Sequence, residues 1–123
     1  MKLSGDQLLE RVYELATAGK ALDFKAFVSD DAIGYAEMVV LLCGNSDRHV
    51  KALADAMRRG LRADGIRHID LEGADHGRWV LMDYGDLVIH ILQDEFRVYY
   101  ELDELWADIP IWSPPDRGTD APQ

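Results

Sequence analysis

Two apolar runs of strand length, residues 79–82 and 87–92, flank the sequence Asp83-Tyr84-Gly85-Asp86. Glycine can supply the positive φ that a tight turn between two strands requires, so this pattern predicts a β-hairpin. Neither run alternates cleanly between apolar and polar residues, which is typical of strands that are covered on both faces. We therefore expect the hairpin to lie inside a sheet rather than at an exposed edge.

The N-terminal part of the chain predicts one helix followed by one strand. Ser4 and Gln7 have the spacing of a capping box, and apolar residues recur at helical spacing over residues 5–18. Residues 21–28 contain two phenylalanines and a valine, which favour a strand, and a turn signal begins at Ser29. The first strand is therefore predicted at 21–28.

The next segment predicts a buried strand and the clearest helix of the chain. Residues 37–43 form a short, nearly continuous apolar run that is typical of a central strand. Ser46 is a suitable N-cap, and the apolar residues after it form one stripe of a helix that Gly65 closes. Glycine inside a helix costs up to about 1 kcal/mol relative to alanine, and nothing in the sequence explains Gly60 at such a position.

The rest of the chain predicts one more strand at 66–71 and, after the hairpin, a last helix. This helix begins at Gln93 or Asp94 and stops at Pro110. Its apolar residues at helical spacing are Val98, Leu102, Leu105, Trp106 and Ile109.

These elements predict a single domain over residues 1–112 of the α/β or mixed α+β class, with a mixed sheet of about five strands flanked by helices. The Pro-rich tail at 113–123 has little to bury and is expected to be disordered, after Ile111 and Trp112 pack back on the domain.

Composition adds the expected class of partner. The chain has 123 residues, 48% of them hydrophobic and 29% charged, as in an ordinary water-soluble domain, and it has no apolar run of membrane-spanning length. The N-terminus has no secretory signal, so we expect a cytoplasmic protein. A net charge of −10 repels phosphate backbones, which argues against DNA and favours a basic protein as partner. The single cysteine, Cys43, is expected to be a small core residue.

One catalytic alternative has to be weighed. A strand, the turn Gly44-Asn45-Ser46 and a helix, followed by Asp70 and Glu72 on the next strand, could hold Mg²⁺ against a nucleotide in a nucleotidyltransferase. This chemistry normally needs a third carboxylate and a basic clamp, and two acids at this spacing are common on any half-exposed strand. The sequence therefore gives little support to a nucleotidyltransferase activity.

The four histidines and the lone cysteine have no recognised zinc spacing, so no metal site is expected. His90 lies in an apolar strand and fits a hydrogen-bonded core histidine. Arg48 and His49 stand in the first turn of a helix, where cations oppose the macrodipole, and either a function or a neighbouring carboxylate would explain them.

The hairpin itself offers a candidate binding surface. Trp79 and Tyr84, with Asp83 and Asp86 beside them, resemble the aromatic anchors that dominate protein interfaces. The same pattern fits equally well a core tryptophan and an ordinary turn tyrosine.

Four blocks of this chain, in this order, resemble the ribosomal silencing factor family, RsfS, also called Iojap. They are the segments 44–55 (Gly-Asn-Ser-Asp-Arg-His-Val followed by Ala-Leu-Ala-Asp), Glu72-Gly73, 79–90 (Trp-x-x-x-Asp-x-Gly-Asp-x-x-x-His) and 99–106 (Tyr-Tyr-Glu-Leu-Asp-Glu-Leu-Trp). The resemblance extends over nearly all of residues 8–106.

The resemblance implies a fold similar to nucleotidyltransferases without their activity, no cofactor, and a homodimer when free. It implies that the chain binds ribosomal protein fourteen of the large ribosomal subunit and blocks joining with the small subunit. Alternatives are the magnesium-dependent enzyme and a dimeric adaptor with another partner. Carried over by position, the partner-binding residues are Trp79, Leu81, Asp83, Tyr84 and Asp86. The same motifs contain Ser46, Arg48, His49 and His90, whose roles stay open.

Overall fold

The computed structural model describes residues 4–33, 36–68 and 70–114. The elements, in chain order, are α1 (Gly5–Ala18), β1 (Leu22–Ile33), β2 (Ala36–Gly44), α2 (Asp47–Ala63), β3 (Asp70–Glu72), β4 (Trp79–Asp83), β5 (Leu87–Gln93), α3 (Asp94–Tyr99), α4 (Leu102–Leu105) and β6 (Ile111–Trp112). The strands form one sheet in the order β3-β4-β5-β2-β1-β6. The predicted mixed α+β class is confirmed, with six strands instead of about five.

Strand β5 lies inside the sheet, between β4 and β2. It pairs antiparallel with β4 from Val88 to Leu92 and parallel with β2 along its whole length. All its residues except Gln93 are buried. The hairpin prediction is confirmed: Gly85 has φ +89°, and Asp83 Oδ1 accepts a hydrogen bond from its N–H at 2.8 Å.

The two faces of the sheet bury different sets of side chains. Helices α1 and α2 cover one face, which we call the helix face, with the apolar stripes that the sequence predicted. On the other face, the short helices α3 and α4 supply Leu102 and Trp106, which pack against Phe27, Leu41 and neighbouring strand residues. This second face is covered over only part of its area.

Gly60 is explained by the contact between α1 and α2. A Cβ atom at this position would lie 2.4 Å from one methyl carbon of Leu15 and 2.7 Å from the other. The glycine therefore allows Leu15 of α1 to approach the backbone of α2, which offsets its low helix propensity.

The predicted last helix is wrong as one continuous element. It is divided into α3 and α4 because Glu101 adopts the left-handed conformation, with φ +50°, and interrupts the helical hydrogen bonds. Val98 and Leu105, which the predicted helix places among its apolar residues, are about 65% and 64% exposed, whereas Arg97 is buried.

Two strand boundaries also differ from those predicted. β1 runs on to Ile33 through an irregular register after Val28, so the predicted turn at Ser29 is part of a paired strand. β3 starts at Asp70 instead of residue 66, because the N–H of Ile66 bonds to the Leu61 carbonyl and closes α2.

The additional strand is β6. It pairs with β1 opposite Ala26 and Phe27, and the Trp112 indole donates a hydrogen bond to Asp6 at 2.7 Å. The expected packing on the domain is confirmed for Trp112, whereas the Ile111 side chain is 58% exposed. From residue 115 onward, the predicted tail lies outside the described residues.

A buried ion pair ties α3 and α4 to the strands beneath them. Arg97 Nε and Nη2 donate to the two carboxylate oxygens of Asp103 at 2.7 and 3.0 Å, and Nη1 donates to the Asp23 carbonyl at 2.6 Å. Asp103 also accepts from Lys25 Nζ at 2.9 Å. The hydrogen bonds from Arg97 and Lys25 lower the pKa of Asp103 to about 2, against the opposing effect of its partial burial.

We expect Asp103→Asn to lower the free energy of unfolding at neutral pH by about 3 kcal/mol. Removing one member of a buried pair leaves the other charge uncompensated, and the value is at the lower end of the usual range because the Asp103 side chain is 34% exposed. Chemical denaturation measures the effect.

The matched control is Asp55→Asn, which removes the exposed ion pairs of Asp55 with Arg58 and Arg59. It is expected to cost no more than about 1 kcal/mol. Equal effects of the two variants would contradict the structural role given to the buried pair.

Candidate partner-binding site

Alternation along the strands of the hairpin brings three predicted site residues to the same side. Trp79, Leu81 and Asp83 point away from the helix face, and Val80 and Met82 between them are buried beneath α1 and α2. Leu81 stands directly opposite His90 in the neighbouring strand. Trp79, Leu81 and Asp83 are partly exposed, beyond the area that α3 and α4 cover.

Trp79 is held by two aromatic neighbours. Its indole N–H donates a hydrogen bond to His90 Nδ1 at 3.1 Å, and the two rings lie 6.0 Å apart between centroids. The ring of Tyr100 packs against the indole at 5.3 Å, and Tyr99 packs edge-on against Tyr100. Tyr100 is 53% exposed. We call Trp79, Leu81, Asp83 and Tyr100 together the Trp79 surface.

His90 lies beneath this surface and is 7% exposed. Its ring is 5.9 Å from that of the buried Trp106. Since Nδ1 accepts from Trp79, the neutral ring carries its proton on Nε2, and this buried atom has no hydrogen-bond partner among the described residues. Burial disfavours the charged imidazolium and lowers the pKa of His90 to about 4.

Carboxylates border the Trp79 surface on the β3 side. Asp70 pairs with Asp83, and Glu72 pairs with Leu81, so all these side chains share one face of the sheet. A hydrogen bond to Asp70 raises the pKa of Glu72, and the negative charges of Asp70 and Asp83 raise it further. Like charges are thus held close together without a neutralising lysine or arginine at ion-pair distance among the described residues.

The other two predicted partner-binding residues lie at the hairpin turn. Tyr84 points to the helix face, where its ring packs against the main core and lies 6.3 Å from that of His68. Its hydroxyl is buried without a partner in the described part of the chain, and burial raises the pKa of Tyr84 to about 12. Asp86 is exposed, and its carbonyl accepts from the N–H groups of Glu37 and Met38.

The segment from Ser46 to His49 is a separate structural feature at the start of α2. Ser46 caps the helix by accepting from the His49 N–H at 3.0 Å, as predicted. His49 Nδ1 accepts from the Asn45 N–H, so its Nε2–H donates to the Gly19 carbonyl at 2.9 Å and connects α2 to the end of α1. Arg48 is exposed.

Within the described ranges, a single group of potential metal ligands converges: Asp23, Cys43 and Asp94, whose ligand atoms lie within 4.8 Å of one another. The guanidinium of Arg97 donates to Cys43 Sγ at 3.4 Å, and a cation there opposes metal binding. Burial raises the pKa of the Cys43 thiol. Asp70 and Glu72, the ligands of the catalytic alternative, face Asp83 as a third carboxylate but do not form such a converging set.

A profile of the family described as "Ribosomal silencing factor during starvation" matches residues 3–122. The chain belongs to the ribosomal silencing factor family, RsfS. It is 32% identical over 108 residues to the ribosomal silencing factor RsfS of Halalkalibacterium halodurans, covering 88% of this chain and 92% of that protein. The crystal structure of a Chromobacterium violaceum protein superposes with a TM-score of 0.81 at 26% identity, covering 93% of this chain and 92% of that one.

Relatives extend to mitochondrial proteins. The mouse protein named "Mitochondrial assembly of ribosomal large subunit protein 1" is 33% identical over 76 residues, which are 59% of this chain and 33% of that protein. The names of these relatives describe ribosome-associated regulatory and assembly proteins. No helix in the described part of this RsfS chain is long and apolar enough to cross a membrane.

Three residues at or beside the Trp79 surface are not predicted there from the sequence. Tyr100 belongs to a block that resembles the family, but helical spacing alone gives no sign that it packs against Trp79. Asp70 and Glu72 are predicted only as ligands of the catalytic alternative, whereas the strand register makes them neighbours of Asp83 and Leu81.

The lowered pKa of His90 makes the stability of this RsfS protein depend on pH. Between pH about 6.5 and about 4, the unfolded chain binds a proton at His90 that the folded chain does not, so stability falls as the pH falls through this window. We expect His90 to account for a loss of about 2 kcal/mol in the free energy of unfolding between about pH 7.5 and about pH 5.

Denaturant titrations of the wild-type protein and of His90→Asn at both pH values measure this contribution, which the variant should lack. The exposed histidine His76 provides the control, and His76→Asn should keep the wild-type pH dependence. If His90→Asn has the same pH dependence as the wild-type protein, the assignment to His90 is wrong.

Proposed function

We propose that this chain silences translation by binding ribosomal protein fourteen of the large ribosomal subunit and sterically blocking the joining of the small subunit. The supporting observation is the Trp79 surface, a partly exposed tryptophan fixed between two rings and bordered by carboxylates. Rigid aromatic side chains are frequent hot spots of protein interfaces, and acidic residues at the rim suit a basic partner such as a ribosomal protein. Membership of the RsfS family supports a ribosomal target.

Within this proposal the action is steric and involves no chemical step or cofactor, and it takes place in the cytoplasm. Trp79, Leu81 and Asp83 contact the partner directly. Asp86 is placed to extend the contact at the hairpin turn, whereas Tyr84, predicted as a contact, supports the turn from the helix face.

We further propose that the free protein forms a homodimer. Val98, Tyr99 and Leu105 are 64–76% exposed on α3 and α4, and a second copy that covered them would remove apolar area from water. We also propose that residues 1–112 form a single domain and that the tail at 113–123 is dispensable for its function.

We expect added wild-type protein, in excess over ribosomes, to increase free subunits at the expense of joined ribosomes in a sucrose gradient. Trp79→Ala should lose this effect, because truncating a hot-spot residue weakens binding by about 2 kcal/mol or more, roughly a thirtyfold loss of affinity. Circular dichroism and the unfolding midpoint verify that the variant is folded.

Ile111→Ala is the matched control, since Ile111 is 58% exposed on β6, at the opposite edge of the sheet from β3 and β4. This variant should act like the wild-type protein. A wild-type protein that leaves the gradient unchanged would contradict the proposed function, and calorimetry with nucleotide and Mg²⁺ together with an unbiased pulldown would then test the enzyme and the adaptor alternatives.

Asp70 and Glu72, the carboxylates that border the Trp79 surface, should increase the rate of association with the large ribosomal subunit. We expect the double variant Asp70→Asn, Glu72→Gln to bind large subunits a few times more slowly at low salt, with a weaker dependence of the rate on ionic strength, because two steering charges are lost. Stopped-flow or biosensor measurements at several salt concentrations give these rates.

The double variant Glu14→Gln, Asp108→Asn makes the same change in net charge, with Glu14 on α1 and Asp108 after α4. It should affect the rate less. Equal slowing by both double variants would indicate that only the total charge matters, against a partner-facing role for Asp70 and Glu72.

A further inference from the structure

His90 is buried with one of its two ring nitrogens unpaired in the described part of the chain. The structure has two buried polar or charged side chains among its described residues, and the other, Arg97, donates to Asp103, Asp23 and Cys43. Among the described residues, the His90 side chain makes one hydrogen bond, which Nδ1 accepts from Trp79, and its Nε2–H is unpaired.

This arrangement is unfavourable for stability. A buried donor without a partner costs free energy, and an apolar side chain of similar size at this position would avoid that cost. The neighbours of His90 along β5 are Ile89 and Ile91, both completely buried, and its cross-strand partners are Leu81 and Leu41. Among the described residues, the Trp79 indole is the one group that bonds to this polar side chain.

The Trp79 indole is the group that uses His90 as a hydrogen-bond acceptor. Trp79 is partly exposed at the end of β4, and without an acceptor its ring could rotate about two side-chain torsions. The bond to His90 Nδ1 fixes the edge that carries the N–H, and Tyr100 contacts the same ring at 5.3 Å. β5 is paired on both sides, so its backbone carbonyls are directed towards β2 and β4 within the sheet, whereas the His90 side chain rises from the sheet on the side of the indole and supplies the acceptor.

We propose that His90 is a positioning residue, whose Nδ1 holds the Trp79 indole in the orientation in which Trp79 binds the partner. This inference rests on the proposed function, since it assigns a second residue to the same surface. His90 does not contact the partner itself, because it is buried beneath Leu81, Trp79 and Trp106.

Two variants with the same side-chain branching test the role of the acceptor. Asn and Leu have the same number of side-chain heavy atoms, branched at Cγ, and the Asn Oδ1 atom can take the place of His Nδ1, whereas Leu offers no acceptor. We expect His90→Leu to bind purified large ribosomal subunits about fivefold to tenfold more weakly than the wild-type protein, and His90→Asn to recover most of the affinity.

Two further measurements separate positioning from a general structural role. His90→Leu should unfold at the same denaturant concentration as the wild-type protein or a higher one, because it removes a buried unpaired donor, so stability and binding do not fall together. In the ¹H–¹⁵N spectrum of the free protein, the Trp79 indole N–H resonance should move in His90→Leu and stay near its wild-type position in His90→Asn.

A double-mutant cycle with Trp79→Phe then tests the route of the effect. Phenylalanine keeps an aromatic ring but has no N–H, so His90→Leu should weaken binding no further in a Trp79→Phe background. If His90→Leu binds like the wild-type protein, or weakens binding equally in both backgrounds, the positioning role is overturned while the proposed function stands. Wild-type protein that does not bind the large subunit overturns the proposed function itself.

Discussion

The structure depends on the position of β5 between an antiparallel and a parallel neighbour. Six of its seven residues are buried, so each must face either the helix face or the opposite side, and a shift of one residue would exchange the two sets. Pairing with β2 fixes one register and pairing with β4 the other. His90 is thereby placed opposite Leu81 and within reach of Trp79, so the same constraint that builds the core also positions the candidate site.

The second requirement is that the face opposite α1 and α2 is only partly covered. Arg97 and Asp103 fasten α3 and α4 over Phe27 and Leu41, where Leu102 and Trp106 fill the second core. Glu101 interrupts this cover between α3 and α4, and Tyr100, the residue before it, packs against Trp79. The Trp79 surface therefore lies at the end of α3, beside the area that Leu102 and Trp106 cover.

Several features of this surface lower the stability of the folded protein when no partner is bound. Three carboxylates share one side of β3 and β4 with no cation at ion-pair distance in the described part of the chain, and His90 buries an unpaired N–H. Proteins tolerate such costs at sites that serve binding, where a partner supplies the missing charge or contact. A basic ribosomal protein would compensate the carboxylates, which is consistent with the family to which the chain belongs.

Elements with local signals can be predicted from the amino-acid sequence. Helices α1 and α2, with the caps Ser4 and Ser46, and the hairpin with Gly85 at its turn follow from spacing and turn chemistry. The motifs between residues 44 and 106 indicate the family. Tertiary packing, in contrast, places Tyr84 on the helix face, brings Tyr100 to Trp79, explains Gly60 by Leu15 and gives the Trp79 indole its acceptor. These are contacts between residues distant in sequence, and local periodicity carries no information about which strand or helix will lie beside another.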